Sequence, residues 1–483
     1  MRPRIPTLLL LLLAPRALLS QERPDRYVPV TDPAVCQKLE EWQDAKLGLM
    51  VTWGIYSQWG IVESWSLCAE DEGWCRRTGP YAADYDAYKK AYRGLTTTFA
   101  PTRFDPRRWA EAAARAGMKY LVFTTKHHDG FCMFDTRTTD FRVTSPACAF
   151  STNPRANITR SLFDAFHSKG LMIGAYFSKP DWNCSDYWWP YFPTPDRHVN
   201  YDPARYPERW RRFKDFTFQQ IEELMTGYGP VDILWLDGAW VRPLANMPEE
   251  FASWARKGNY DQDIDIGRIA AMARRHRPGL IVVDRWVNGP EENYLTPEQK
   301  VPERPLDVPW ESCMTMATSW SYVENDRYRS VRELVHLLVD VVAKGGNLLL
   351  NIGGSPKGEW DPDAYDRLEG MGSWMAVNGE AIYSTRPLAP FKAGRVCLTR
   401  NRASQDIYAI CLAESSESAP PAEVRVPVSL SGSEARVTLL GYHGKLRWQT
   451  EGSGIVVSIP EKARRRPPCD HAWTLKIVPG RRL

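Results

Sequence analysis

Asp237 closes the run Val231-Asp-Ile-Leu-Trp-Leu-Asp237, with Gly238 directly behind it. Such an apolar run reads as a buried strand, so the carboxyl group would stand at the rim of a core. Burial would push its pKa up, whereas a nearby arginine or hydrogen-bond donors would keep it ionised, as a nucleophile requires. The plain alternative is an Asp-Gly turn or the N-cap of a following helix. Double displacement at a sugar carbon needs a second carboxyl group about 5–5.5 Å away, first as acid and then as base. Glu298 in Thr296-Pro-Glu-Gln299, Glu311 in Pro309-Trp-Glu-Ser-Cys313, and Glu291 or Glu292 are candidates. Glu298 lies in a long stretch flanked by Pro297 and Pro302, where partial exposure suits proton exchange. Glu311 is more strand-like and fits a buried orienting carboxylate. Spacing leaves the choice open.

His127-His128-Asp129-Gly130 invites a metal reading. Neighbours on a strand point to opposite sides, so two adjacent histidines do not readily share one ion. The HxH spacing of metal-binding barrel hydrolases is also absent. Neutral imidazoles suit hydrogen bonds to sugar hydroxyls. The other reading puts one His in a site and one in the core.

Positioning these groups takes strands that end on a common face. Apolar runs at 47–53, 120–125, 172–177, 233–236, 280–284 and 348–352, and a weak one at 308–313, alternate with helical stretches. The helical stretches include 106–116, 161–169, 206–226 and 331–343. That alternation predicts a parallel sheet buried on both faces, here a (β/α) TIM-like barrel over 28–384. A doubly wound open sheet is the other option, but no GxGxxG follows an early strand. Polar residues cluster after these strands: His127 and His128, Lys179 and Asp181, Asp237, Arg285, Glu311 and Asn351. In a barrel such positions converge on one face. Beyond Pro387 and Pro390, short alternating strands at 424–428, 436–440 and 454–459 predict an all-β sandwich over 388–483. Pro427 would confine the first of these to an edge.

Over 483 residues, 43% hydrophobic and 25% charged is ordinary globular composition, and a net charge of +4 with scattered basic residues argues against a nucleic-acid partner. The 20 Trp and 21 Tyr supply flat rings that suit the apolar faces of sugars. Arg2, Arg4, the 8–13 leucine run and small residues near Ser20 read as a signal peptide over 1–20, placing the chain in the secretory pathway as a secreted, periplasmic or lysosomal protein. The run is too short to span a bilayer, so no membrane association is expected after cleavage. Export would suit disulfides among the ten Cys, Cys68 and Cys75 being close enough to pair across a loop. Asn157-Ile-Thr159 and Asn183-Cys-Ser185 are glycosylation sequons.

Longer runs around these residues resemble glycoside hydrolase family 29, the α-L-fucosidases. They are Lys46-Leu-Gly-Leu-Met-Val-Thr-Trp-Gly-Ile-Tyr-Ser57, Lys126-His-His-Asp-Gly-Phe131, Trp235-Leu-Asp-Gly238, Asp284-Arg-Trp286, Trp310-Glu-Ser-Cys313, Ser319-Trp-Ser-Tyr322 and Gly346-Asn-Leu-Leu-Leu-Asn-Ile-Gly353. They cover nearly the whole mature chain in the family's order. The resemblance implies a barrel with a C-terminal sandwich, retaining release of terminal α-L-fucose from fucosylated oligosaccharides or glycoconjugates, and no metal or cofactor. It assigns Asp237 as nucleophile and His127, His128, Tyr176, Arg285 and Trp320 to the sugar. Counting back from Trp310-Glu311 puts Glu298 at the acid/base position, with Glu311 as the alternative. Ser64 and Trp65 fall where many members carry a sugar-contacting Glu-Trp pair. Thr52 departs from the family, which has His before Trp-Gly. A shorter donor there predicts a weakened or altered sugar site, or a catalytically impaired fucose-binding homologue.

Overall fold

The computed structural model describes residues 26–68, 76–194, 196–247, 260–430 and 435–480. The 1–20 segment read as a signal peptide and Cys75 lie outside the described residues. Of the described cysteines other than Cys68, none is in a disulfide, so the expected disulfides are not seen there.

The apolar runs become β1 (Leu47–Thr52), β2 (Tyr120–Lys126), β3 (Met172–Ser178), β4 (Ile233–Asp237), β5 (Ile281–Asp284), β6 (Glu311–Thr315) and β7 (Asn347–Gly353). They form one parallel sheet in the order β5-β4-β3-β2-β1-β7-β6. β1 and β2 are buried at every position, as a sheet covered on both faces requires. The covering helices are α1 (Pro33–Ala45), α2 (Tyr85–Gly94), α3 (Pro106–Arg115), α4 (Ile158–His167), α5 (Pro207–Gly227), α6 (Ile266–His276), α7 (Val331–Ala343) and α8 (Pro362–Asn378). Local chemistry sets several of their starts. Asp105 caps α3 with Pro106 at its first turn, and Ser330 with Glu333 forms a capping box on α7. Asn157 caps α4, which therefore begins three residues before the stretch read from the sequence. The weak strand also shifts, from 308–313 to Glu311–Thr315, because its ladder with β7 opens only at Glu311 opposite Asn347.

The sheet's two edges, β5 and β6, do not pair with each other. The segment between them fills the gap. Asn293 N–H donates to Val282 O at 3.0 Å, Glu311 N–H to Leu295 O at 2.8 Å, and Cys313 N–H to Pro297 O at 3.0 Å. Bridges join Leu295 to Trp310 and Glu298 to Cys313 in parallel sense. What the sequence reads as a long irregular loop thus serves as a short eighth stave. It carries Glu298.

After α8, β8 (Thr385–Ala393), β9 (Val396–Asn401), β10 (Ile407–Leu412), β12 (Arg436–Leu439) and β15 (Ala472–Val478) make an antiparallel sheet in the order β12-β15-β10-β9-β8. A second sheet, β11-β14-β13, comes from Glu423–Val426, Gly454–Ser458 and Arg447–Glu451. The two share a core that includes Leu398, Val424, Ile455 and Trp473. β8 runs through Pro387 and Pro390 instead of breaking there, since it is an edge strand whose register slips between Pro387 and Lys392. β11 is likewise an edge and stops just before Pro427.

Candidate active site

Asp237 ends β4 and turns sharply at Gly238, where φ is +91° and a Cβ would fall 2.3 Å from Pro180 Cδ. The two readings are compatible, because the glycine lets the chain leave while the carboxylate stays at the rim. Tyr176 OH donates to Asp237 Oδ2 at 2.7 Å, and Arg285 Nη1 donates to Oδ1 at 3.0 Å. His128 Nε2 stands 3.8 Å from Oδ2. Burial alone would raise the Asp237 pKa, but Arg285, His128, the Tyr176 hydroxyl and the Gly238 N–H outweigh it and hold the group well below the usual carboxylate range. It is an ionised, directed carboxylate.

Arg285 follows β5. Its Nη2 donates to Glu298 Oε2 at 2.5 Å, and its Nε to Thr296 Oγ1 at 3.2 Å. Its guanidinium carbon lies 4.7 Å from the Trp235 ring centroid and 3.9 Å from that of Trp286. One planar cation therefore bonds both carboxyl groups while two indoles pack against it. Planar, forked donors of this kind hold two acceptors in a set relation, which a lysine cannot do.

These groups face a cavity of about 400 Å³. Thr52, Trp65, His127, Tyr176, Trp320, Asp237, Arg285 and Glu298 all line it. His128 lies just behind the wall, its ring packed on Trp65, Trp182 and Trp240. The two histidines do not point to opposite sides as a regular strand would dictate, since their rings are 4.2 Å apart. The β2–β3 ladder slips between Thr124 and Lys126, and β2 ends at Lys126, which frees both side chains to turn inward. Burial lowers both imidazoles, His128 to about 4 and His127 well below its usual value, so each is neutral near pH 7. Ser64 Oγ is hydrogen-bonded to His127 Nδ1.

Other candidates are kept out. Glu311 is fully buried beneath the cavity, accepting from Tyr120 OH at 2.6 Å and Trp235 Nε1 at 3.2 Å, and burial pushes it up to about 7 against those bonds. Glu291 pairs with Arg274 at 2.8 Å, and Glu292 accepts backbone N–H groups of the turn after β5. Lys179 pairs with Asp284 at 2.5 Å and Lys126 with Asp181 at 3.1 Å, both pairs buried. Among the described residues, no three His, Cys, Asp or Glu side chains gather as a metal site would need.

Thr52 Oγ1 donates to Asn351 Oδ1 at 2.7 Å, and Asn351 Nδ2 donates to Trp320 O at 2.7 Å. The threonine proton is spent inside the protein, so towards the cavity Thr52 offers only acceptor lone pairs. Glu63, which sequence reasoning passed over in favour of Ser64 and Trp65, also lines the cavity. It is 2% exposed, accepts from Ser321 N–H at 2.9 Å, and burial pushes it up to about 8, helped by Glu298 and Asp237. Its signal was a lone carboxylate in the Trp59–Trp65 run. Arg197, His198, Trp240 and Arg242 reach the cavity from the long connections after β3 and β4, where no motif marks them.

A parallel barrel with an ionised carboxylate, a second carboxylate sharing its arginine, and aromatic and imidazole walls defines a glycoside hydrolase site. The Alpha-L-fucosidase family profile matches residues 16–380 and the Alpha-L-fucosidase C-terminal domain profile matches residues 391–478. The chain therefore belongs to the alpha-L-fucosidase family, hydrolases that release fucose from fucosylated glycans. It is 26% identical to the tissue alpha-L-fucosidase of Homo sapiens, the alignment covering 99% of this chain and 98% of that one. It is 27% identical to an alpha-L-fucosidase of Branchiostoma floridae, with 97% and 99% covered. Among solved structures, alpha-L-fucosidase isoenzyme 1 from Paenibacillus thiaminolyticus superposes with a TM-score of 0.71 at 28% identity, over 93% of this chain and 100% of that chain.

Proposed function

We propose that Asp237 and Glu298 carry out a retaining double displacement on terminal α-L-fucosides. Asp237 attacks the anomeric carbon while Glu298 gives a proton to the leaving oxygen. The resulting ester is then opened by water that Glu298 deprotonates. The observation that carries this reading is the single guanidinium of Arg285 bonded to both carboxyl groups, through one oxygen of Glu298, which leaves the other oxygen to hold the proton that is given up. The neutral His127, with Tyr176, Trp65, Trp320, Thr52 and Glu63, forms the fucose pocket, and His128 supports Asp237 from behind. Residues 28–384 are read as the catalytic unit and 388–483 as an appended sandwich. Export through the secretory pathway follows from the leucine-rich N-terminus, and no described helix is long and apolar enough to cross a membrane.

The test is stereochemical and mutational. Wild type acting on an aryl α-L-fucoside releases α-fucose first, as NMR of the fresh product reads. Asp237→Ala lowers kcat on the order of 10⁴-fold, and azide restores turnover with β-fucosyl azide as product. Full turnover by Asp237→Ala, or β-fucose as the first product of wild type, would sink the reading.

A further inference from the structure

Trp286, the residue directly after Arg285, has φ of +59°, a left-handed backbone that a bulky aromatic rarely adopts. Asn288 two positions on has φ of +57°. Such a turn persists only when its surroundings over-determine it. Here they do. The buried Glu292 carboxyl group, 2% exposed, accepts the Trp286 N–H at 2.7 Å with one oxygen and the Asn288 N–H at 2.8 Å with the other. Arg242 Nη2 donates to the Trp286 carbonyl at 2.7 Å, and the Trp286 indole N–H donates to Thr296 O at 3.1 Å. Every polar group of Trp286 is thereby held. The outcome is an indole whose centroid lies 3.9 Å from the Arg285 guanidinium carbon, nearer than the Trp235 ring at 4.7 Å.

We infer that Glu292 is a positioning residue for the hydrolysis: by holding the Trp286–Asn288 turn it presses the Trp286 ring onto Arg285 and so fixes the cation that aligns Asp237 with Glu298. Glu292 itself does not line the cavity and touches no substrate. This rests on the roles proposed above for Asp237 and Glu298, but the two fail separately. Those roles are judged by Asp237→Ala and by product stereochemistry, this one by variants of Glu292.

The readout is the acid limb of kcat/KM. Asp237 faces Arg285, His128 and Tyr176, with Glu63 and Glu298 in the same cavity, and Arg285 is the strongest of the groups holding it ionised. Asp284 and Arg242 are the charges beside Glu292, and none of the three variants below alters them. In Glu292→Gln one acceptor becomes an NH₂ that opposes an N–H, so the turn loosens and Arg285 loses its cover. The expected result is a fall in kcat/KM on the order of 10²-fold and an acid limb moved to higher pH by at least about half a unit. Glu292→Asp keeps a carboxyl group but reaches only one N–H, and gives an intermediate shift. Trp286→Gly suits the left-handed backbone and keeps the two N–H bonds to Glu292, while removing the ring and its bond to Thr296 O. It shows the same acid-limb shift when activity is taken per folded molecule, which keeps the test usable if Glu292→Gln folds poorly. Acid limbs that superimpose on wild type in Trp286→Gly and Glu292→Asp would overturn the inference. So would activity losses that merely track the fraction unfolded.

Discussion

Glu63 shows how a residue's chemistry is made by its surroundings. An ordinary glutamate releases its proton near pH 4.5, yet burial pushes this one up to about 8. Between those values the folded chain keeps a proton that the unfolded chain has lost, so the group's contribution to stability declines as pH rises through the window. Glu63→Gln abolishes that titration. Urea unfolding at about pH 5 and about pH 8 should show wild type losing stability relative to the variant as pH rises. Parallel behaviour of the two proteins would mean that the carboxyl group is well solvated. At this scale Asp237 was legible, since an apolar run ending in Asp-Gly announces a strand whose last residue is left at a rim. The choice between Glu298 and Glu311 was not. Both are carboxylates near prolines and tryptophans, and only the fold puts one in the cavity and the other under Trp235.

The element that decides this is the stave between β5 and β6. Its residues have no alternating or helical pattern, because they borrow hydrogen bonds from two neighbours, first β5 and then β6. Gln299 ends it with φ of +52° and donates its N–H to Cys313 O at 3.0 Å. Gln299→Pro removes that donor and demands φ near −65°. Glu298 should then swing away, and kcat/KM on an aryl fucoside should fall on the order of 10²-fold. Activity on α-L-fucosyl fluoride, whose leaving group needs no proton, should fall much less. Equal losses on both substrates would place the damage elsewhere than Glu298. The regular strands, in contrast, were readable to within a residue or two, since β1 to β5 and β7 are buried on both faces and so spell themselves out in apolar residues.

Across the whole molecule, the barrel and the sandwich are joined through buried and half-buried contacts. Trp374 on α8 is 1% exposed and donates its indole N–H to Ala472 O on β15 at 2.9 Å. Arg386 on β8 pairs with Asp44 of α1 at 2.7 Å, and His336 Nε2 on α7 lies 2.8 Å from His471 O. Trp374→Ala leaves a cavity and removes one of the two donors to Ala472 O, and should lower stability by about 3–5 kcal/mol. Denaturant unfolding measures it, while kcat per folded molecule stays unchanged because Trp374 is remote from the cavity. A loss below about 1 kcal/mol would show that the two units do not lean on each other there. The division into barrel and sandwich was itself visible in sequence, where long apolar runs give way to short alternating ones after the prolines near residue 387.

By itself the sequence determined the alternation of strands and helices, the C-terminal change to antiparallel β, and the strand-end positions from which Asp237, His127 and Arg285 project. Those follow from hydrophobic periodicity and turn chemistry, which act over a few residues and leave a local trace. Tertiary structure alone decided that Arg285 would grip two carboxylates 61 positions apart in the chain, that Thr52 would spend its proton on Asn351, and that both histidines would turn the same way. Each of those outcomes depends on distances between elements that no local pattern records.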